Sequence, residues 1–344
     1  KDSPIPRRTQ LLDENVDNKI DTTDLITKEN VMVALSNEGY IKRVSMKSYT
    51  SSNGDETTLK PGDYLKYLFE VSTLDNLVIF TNLGQYLYVP VHTIFEGKWK
   101  DLGKHINNLV TGLSESEYIV GAFILKNPEE KITFVTKNGL VKQSILKDFV
   151  VSRYSKAMLA FKLKDNDEVI AVNQSKPRTV LISEAGYYVN IDTEEIPVVG
   201  ARASGVRGMN LKDDVLAAGL SLDSSEYLSI FTNNKTAKRV KVSELETHNR
   251  AKKGSTLIKK VKSFDYKIIK ALLTDGKDEL FLKCDNEITK IKNTDISILD
   301  LKSTGGTISR YKIDDVFTST VVDSSLKNNK DAYEEVTTLE ENTD

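Results

Sequence analysis

Cysteine, tryptophan and histidine are scarce in this chain of 344 residues: there is one Cys, Cys284, one Trp, Trp99, and three His. A lone cysteine excludes an internal disulfide and suits a reducing cytoplasm. His92, His105 and His248 lie far apart in sequence and show no metal-ligand spacing. Long apolar runs are lacking too. The most apolar stretch, YIVGAFIL at 118–125, falls well short of the roughly 20 residues a spanning helix needs, and nothing reads as a secretory signal. Long amphipathic helical patterns are absent, as are a P-loop and any grouping of nucleophile, base and orienter. No residue stands out as catalytic, and none of the 14 tyrosines is assigned chemistry. The chain opens on Lys1, which suggests a piece of a longer protein.

The formal charge of −2 conceals a segregation. Residues 313–344 hold nine acids against Lys327 and Lys330, a local charge of −7, while residues 1–28 carry five bases and six acids. The middle, 29–312, therefore carries +6, and 225–312 alone has 19 bases against 11 acids. A basic body with an acidic tail points toward polyanions. The tail, DSSLKNNKDAYEEVTTLEENTD at 323–344, is polar and poor in aromatics, the composition of a flexible segment.

What the chain does contain is a repeat. VMVALSNEGYIKRV (31–44), LVIFTNLGQYLYV (77–89), ITFVTKNGLVKQS (132–144) and TVLISEAGYYVNI (179–191) each run from a β-branched and aromatic stretch through a polar turn into a second such stretch. This is a β-hairpin signature. LSIFTNNKTAKRV (228–240) and LFLKCDNEITKI (280–291) are weaker copies, with Lys235 and Glu287 where the others place Gly39, Gly84, Gly139 and Gly186. Asn234 and Asn286 precede them and tolerate a left-handed backbone. The period is near 50 residues, and each unit has room for a further apolar strand such as DEVIAV (167–172) or DDVLAAGL (213–220). Four strands per unit, six times over, is a propeller pattern. Asp75, Asp167, Asp214 and Asp278 return beside turns and are read as turn residues rather than catalytic carboxylates.

Taken in order, GYIKR (39–43), KNGLVKQS (137–144), SRYSKAMLAFKL (152–163) and GARASGVRGMNL (200–211) resemble the C-terminal domain of the A subunit of bacterial type IIA topoisomerases, over about residues 25–315. The resemblance implies an all-β, six-bladed β-pinwheel of four-stranded antiparallel blades at 27–315. It further implies a connector at 1–26 to an N-terminal catalytic part and a flexible acidic tail at 316–344. The gyrase branch of that family carries a basic, glycine-rich box of the type QRRGGKG in its first blade. Here SSNGDETTLKPGDYL (51–65) offers acids and only Lys60 as a base, which favours the topoisomerase IV branch. By this resemblance the domain does no bond-breaking chemistry and holds no cofactor, while the parent enzyme resembles ATP- and Mg-dependent topoisomerases. The implied partners are double-stranded DNA, the N-terminal part of the same polypeptide and the ATPase (B) subunit of a heterotetramer. The isolated domain would be a monomer, cytoplasmic and nucleoid-associated, with no membrane.

Bending a duplex around a disc requires cations along its edge, where phosphate contacts supply affinity without reading sequence. The family pattern puts them on the outer face of the blades. The candidates here are Lys42 and Arg43 in unit one; Lys142, Arg153 and Lys156 in unit three; and Arg202 and Arg207 in unit four. Unit five adds Lys238 and Arg239, then Arg250, Lys252, Lys253, Lys259 and Lys260. In unit two Tyr88 replaces the hairpin cation, and Lys98, Lys100 and Lys104 flank Trp99, read as a packing residue. The small residues around Arg202 and Arg207 are expected to let a phosphate approach the backbone and the guanidinium forks. Two other readings remain open: a gyrase-type wrapping domain, and a propeller serving as a platform for protein partners.

Overall fold

The computed structural model describes residues 25–326. Six hairpins follow one another: Asn30–Ser36 with Tyr40–Ser45, Asn76–Thr81 with Gln85–Pro90, Lys131–Thr136 with Leu140–Ile145, Arg178–Ser183 with Tyr187–Asp192, Tyr227–Thr232 with Thr236–Lys241, and Glu279–Cys284 with Glu287–Lys292. In the first five, the third turn residue is left-handed: Gly39, Gly84, Gly139 and Gly186 at φ 73–90°, and Lys235 at φ 62°. Lys235 takes the strained conformation itself, not the Asn234 before it. A serine or threonine at the strand end closes four of these turns, accepting from the first amide beyond; Ser36 accepts from Tyr40 N at 3.0 Å and Thr136 from Leu140 N at 3.0 Å. The sixth turn is one residue shorter, pairing Cys284 with Glu287, and its left-handed residue is Asp285. The left-handed position expected at Asn286 or Glu287 therefore falls one or two residues earlier.

Each hairpin is completed on its inner side by a strand from its own unit: Leu65–Ser72, Ile119–Ile124, Val169–Gln174, Leu216–Leu222, Ile268–Thr274 and Asp315–Thr318. Asp63, Asp167 and Asp214 sit just before these strands and clip the blade's own turn, accepting from Glu38 N, Asn138 N and Ala185 N. Asp75 and Asp278 close the tight turns between units. The outer strand is only two residues long and comes from the following unit. Lys104–His105 completes blade 1, Met158–Leu159 blade 2, Val206–Arg207 blade 3, Ser255–Thr256 blade 4 and Gly306–Thr307 blade 5. The six antiparallel sheets form a ring, a six-bladed pinwheel, with one five-residue helix, Met46–Thr50.

Four strands per blade holds for blades 2 to 5. Blade 6 has three, because the stretch after hairpin 1, residues 51–63, forms no strand on it. Blade 1 has five, because Val322–Ser324 adds on the inner side, parallel to Leu65–Ser72. Ordered strands thus run past residue 315, where the acidic tail was expected to begin; its remainder from 327, and residues 1–24 of the expected connector, lie outside the described residues.

Adjacent blades share apolar clusters. Leu77 and Ile79 face blade 1 with Val31, Val33 and Leu35, while Val78 and Phe80 face blade 3 with Ile132 and Phe134. Both faces of a sheet are buried, so the hairpin strands read as continuous apolar runs. Equivalent clusters join blades 3 and 4, 4 and 5, and 5 and 6. Between blades 6 and 1 the contact is different. Tyr64 stacks on Phe317 at 3.6 Å between centroids, and its hydroxyl donates to Asp315 Oδ2 at 2.9 Å.

Candidate nucleic-acid interface

After every hairpin the chain leaves its own blade along the outer edge, and in units two to six it donates the two-residue strand to the blade before. These crossing segments, 51–63, 95–113, 150–166, 197–213, 247–265 and 297–313, form the perimeter of the ring. Small residues precede the donated strand each time: Gly103, Ala157, Gly205, Gly254 and Gly305. A side chain at the glycines has no room. A Cβ on Gly205 would lie 2.7 Å from Val141 O, one on Gly103 2.6 Å from Ile41 O and one on Gly305 2.7 Å from Ala237 O. A Cβ on Gly208 would sit 2.7 Å from Leu181 Cδ1. The glycines of GARASGVRGMNL therefore serve the docking of one segment on a neighbouring blade. Of the three, only Gly200 faces open space.

Successive segments also touch one another. Thr111 N donates to Ser155 O at 2.9 Å, Lys162 N to Ala203 O at 3.3 Å, Ala251 N to Gly208 O at 2.7 Å and Lys259 N to Lys302 O at 3.0 Å. Trp99 Nε1 donates to Asp55 O at 2.7 Å, joining the first two. Among the described residues no hydrogen bond links the last segment to the first. The result is a belt with one break. Its segments carry formal charges of −2, +1, +3, +2, +5 and +2 in order from the first, so only the segment at the break is acidic.

The candidate cations fall into two groups. Arg153, Lys156, Arg202, Arg207, Lys252, Lys253, Lys259 and Lys260 are exposed on this belt, and Arg250 is half-buried there. Arg207 and Arg250 are brought together: Arg250 Nη1 donates to Arg207 O at 2.7 Å, and Met209 bridges Lys252. The hairpin cations are different, and the expectation for them is corrected. Lys42, Lys142 and Lys238 are 2%, 0% and 1% exposed, too deep to touch a ligand. Arg239 is buried as well, donating through Nε to Ile296 O at 2.7 Å and lying over Tyr227. Arg43 is mostly covered and paired with Glu96 at 2.8 Å. Strand alternation explains the error: with both sheet faces packed against neighbouring blades, a hairpin residue has no solvent-facing side.

The buried lysines end in cages of carbonyl oxygens. Lys142 Nζ donates to Ala160 O at 2.6 Å, Ala201 O at 2.8 Å, and Gly200 O and Ala203 O at 3.2 Å. Lys238 Nζ reaches Leu257 O at 2.5 Å, Leu301 O at 2.6 Å and Asp300 O at 3.3 Å. Lys42 Nζ reaches Trp99 O at 2.6 Å, Asp101 O and Thr57 Oγ1. Burial lowers Lys42 and Lys142 to about 8 and Lys238 to about 7, opposed in each case by a nearby aspartate.

Exposed cations outside the candidate set lie on the same belt: Lys162, Lys302 and Arg310. Position after a hairpin, rather than within it, is the signal that finds them. Among the described residues no group of three or more His, Cys, Asp or Glu could hold a metal ion, and no helix is long and apolar enough to cross a membrane.

The geometry defines a pinwheel whose blades exchange their outer strands, and comparison with known proteins agrees. The sequence matches the family described as DNA gyrase C-terminal domain, beta-propeller, over residues 75–126, 130–176, 179–221 and 226–275, and the chain belongs to that family. It is 36% identical over 278 residues to the A subunit of DNA topoisomerase 4 from Bacillus subtilis (strain 168), covering 79% of this chain and 34% of that protein. It is 32% identical over 275 residues to the corresponding protein of Staphylococcus aureus (strain MRSA252), covering 78% and 34%. The chain thus spans about a third of the length of these relatives. Among solved structures, the C-terminal domain of DNA topoisomerase IV superposes with a TM-score of 0.82 at 32% identity, covering 90% of this chain and 99% of that one. The DNA gyrase A C-terminal domain shares the fold, with a TM-score of 0.61 at 21% identity over 85% of this chain and all of that one.

Proposed function

We propose that this chain is the non-catalytic, sequence-independent DNA-binding and DNA-bending domain of a topoisomerase IV A subunit. It presents a duplex to the catalytic core for decatenation and supercoil relaxation. The observation that carries the reading is the perimeter belt: five successive crossing segments, each net positive, held in contact around the ring edge. A duplex following that edge meets cations at every blade from 2 to 5, and phosphate neutralisation with counterion release drives the association. The rest of the parent enzyme supplies bond breakage and works with an ATPase partner, ATP and Mg in a bacterial cytoplasm. The absence of a basic box in 51–63, whose Lys60 lies over the Tyr40 ring at 4.6 Å, favours this reading over gyrase-type wrapping.

Replacing Arg202 and Arg207 together by alanine tests the reading. Titrating a 60-base-pair duplex of arbitrary sequence, the double variant is expected to bind about 50-fold more weakly at 0.1 M salt. Its salt slope should be shallower by about 2, one for each lost phosphate contact. Equal affinity for wild type and variant would refute the assignment of the rim.

A further inference from the structure

The buried lysines recur at one place in the fold. Counting three residues on from the left-handed turn residue gives Lys42, Leu87, Lys142, Val189 and Lys238 in blades 1 to 5, so lysine alternates with an apolar residue. Leu87 and Val189 are fully buried in the clusters between blades. Each lysine holds carbonyls or a hydroxyl from two successive crossing segments. Lys42 joins the first, through Thr57, to the second, through Trp99 and Asp101. Lys142 joins the third, through Ala160, to the fourth, through Gly200, Ala201 and Ala203. Lys238 joins the fifth, through Leu257, to the sixth, through Asp300 and Leu301. The junctions in between have no buried lysine and rest mainly on backbone pairs, joined by Thr111 Oγ1 to Ser155 O and Arg250 Nη1 to Arg207 O. Segments two and three share the Thr111 N to Ser155 O and Ala157 N to Thr111 O bonds, and segments four and five the Ala251 N to Gly208 O and Asn210 N to Lys252 O bonds.

We infer that Lys42, Lys142 and Lys238 are positioning residues for the rim: each locks two successive crossing segments to one blade and so fixes the cations those segments carry. The inference rests on the proposed DNA-binding role only for its functional half. An ammonium group is suited to the task because it has three donors and no acceptor, so it can satisfy carbonyls from separate strands at one point. Those carbonyls lie at positions where the chain crosses between blades and has no sheet partner. Ala160 O, Ala201 O, Leu257 O and Leu301 O have no other donor among the described residues, so without the lysine they would lose their partner and the segments would shift to rehydrate them. For Lys142 the held residues of the fourth segment, Gly200, Ala201 and Ala203, lie within two positions of Arg202 and seven of Arg207. The lysine touches no ligand; it sets where two guanidinium groups stand relative to each other and to the third segment.

The test uses Lys142→Met, which keeps the length and apolar stem and removes the donors. In hydrogen exchange of the 344-residue protein without DNA, peptides covering 157–163 and 200–208 are expected to lose at least tenfold in protection. Those covering the hairpin strands of blades 4 and 5 should be unchanged. On the 60-base-pair duplex, K142M should weaken binding about tenfold at 0.1 M salt, of the order of one lost phosphate contact. The triple variant with Arg202→Ala and Arg207→Ala should bind no more weakly than that double alanine variant. Unchanged protection at 200–208, or a K142M loss that adds in full to the arginine loss, overturns the inference. If K142M loses protection throughout, Lys42→Met takes its place, with 57–59 and 99–104 as the segments read and Lys98→Ala with Lys104→Ala as the coupled pair. If wild type fails to bind duplex at all, the DNA reading falls while the exchange result still decides the positioning role.

Discussion

Lysine at a hairpin position in this fold behaves unlike a lysine on an ordinary sheet. On a sheet with one wet face, the residue three past a turn glycine has an even chance of pointing to water, and sequence alone places Lys42, Lys142 and Lys238 on the outside. Here both faces are covered, so the stems run through the core and only the carbonyl cages receive the charge. The cost of that burial has a pH signature. A lysine whose folded-state pKa is lowered binds fewer protons than in the unfolded chain between the two values, so its contribution to stability grows as pH rises through that window. For Lys238 the window runs from about 7 to its ordinary 10.5. The stability of wild type relative to Lys238→Met, read from thermal melts between pH 7 and 9.5, should therefore rise with pH; a constant or falling difference would show that burial does not lower the Lys238 pKa. The exposure of Arg202 and Arg207, by contrast, was legible from sequence, because arginines among small residues in a segment outside the hairpins had no core to enter.

At the scale of elements, the hairpins could be read directly. Continuous β-branched and aromatic runs on either side of Gly39, Gly84, Gly139 and Gly186 specify strand, left-handed turn and strand through local chemistry alone. The exchange of outer strands could not, because it is written in two-residue pairings between units, such as Val206 with Val141 and Arg207 with Leu140. The same blindness assigned the glycines of 200–211 to phosphate approach, when Gly205 and Gly208 are needed where one segment crosses another blade. Gly254 is the strongest case, at φ 83° with the Tyr188 carbonyl oxygen where a Cβ would stand. Gly254→Ala is expected to cost about 3 kcal/mol through backbone strain and overlap, while Gly200→Ala, facing open space, should stay within about 0.5 kcal/mol. Equal chemical denaturation midpoints for the two variants would show that the crossing segments dock more loosely than described.

For the whole molecule, the near-neutral charge of −2 is a poor guide, because the acids and bases occupy different places. The belt carries its positive charge from the second crossing segment to the sixth, and its one acidic segment coincides with its one break. Blades 6 and 1 meet there through stacked Tyr64 and Phe317, with Val322–Ser324 reaching across to blade 1. That closure was outside the reach of sequence, since the strand falls in a stretch whose composition reads as tail. A bound duplex on this account enters and leaves near the break and is held elsewhere by phosphate contacts around the edge. Such binding is a polyelectrolyte reaction, and its dependence on salt counts the contacts. The decisive measurement is the affinity of the 344-residue protein for a 60-base-pair duplex between 50 and 300 mM salt. About six phosphate contacts predict that log K falls against log salt with a slope near −5. A flat response would mean that the rim does not hold DNA through its cations.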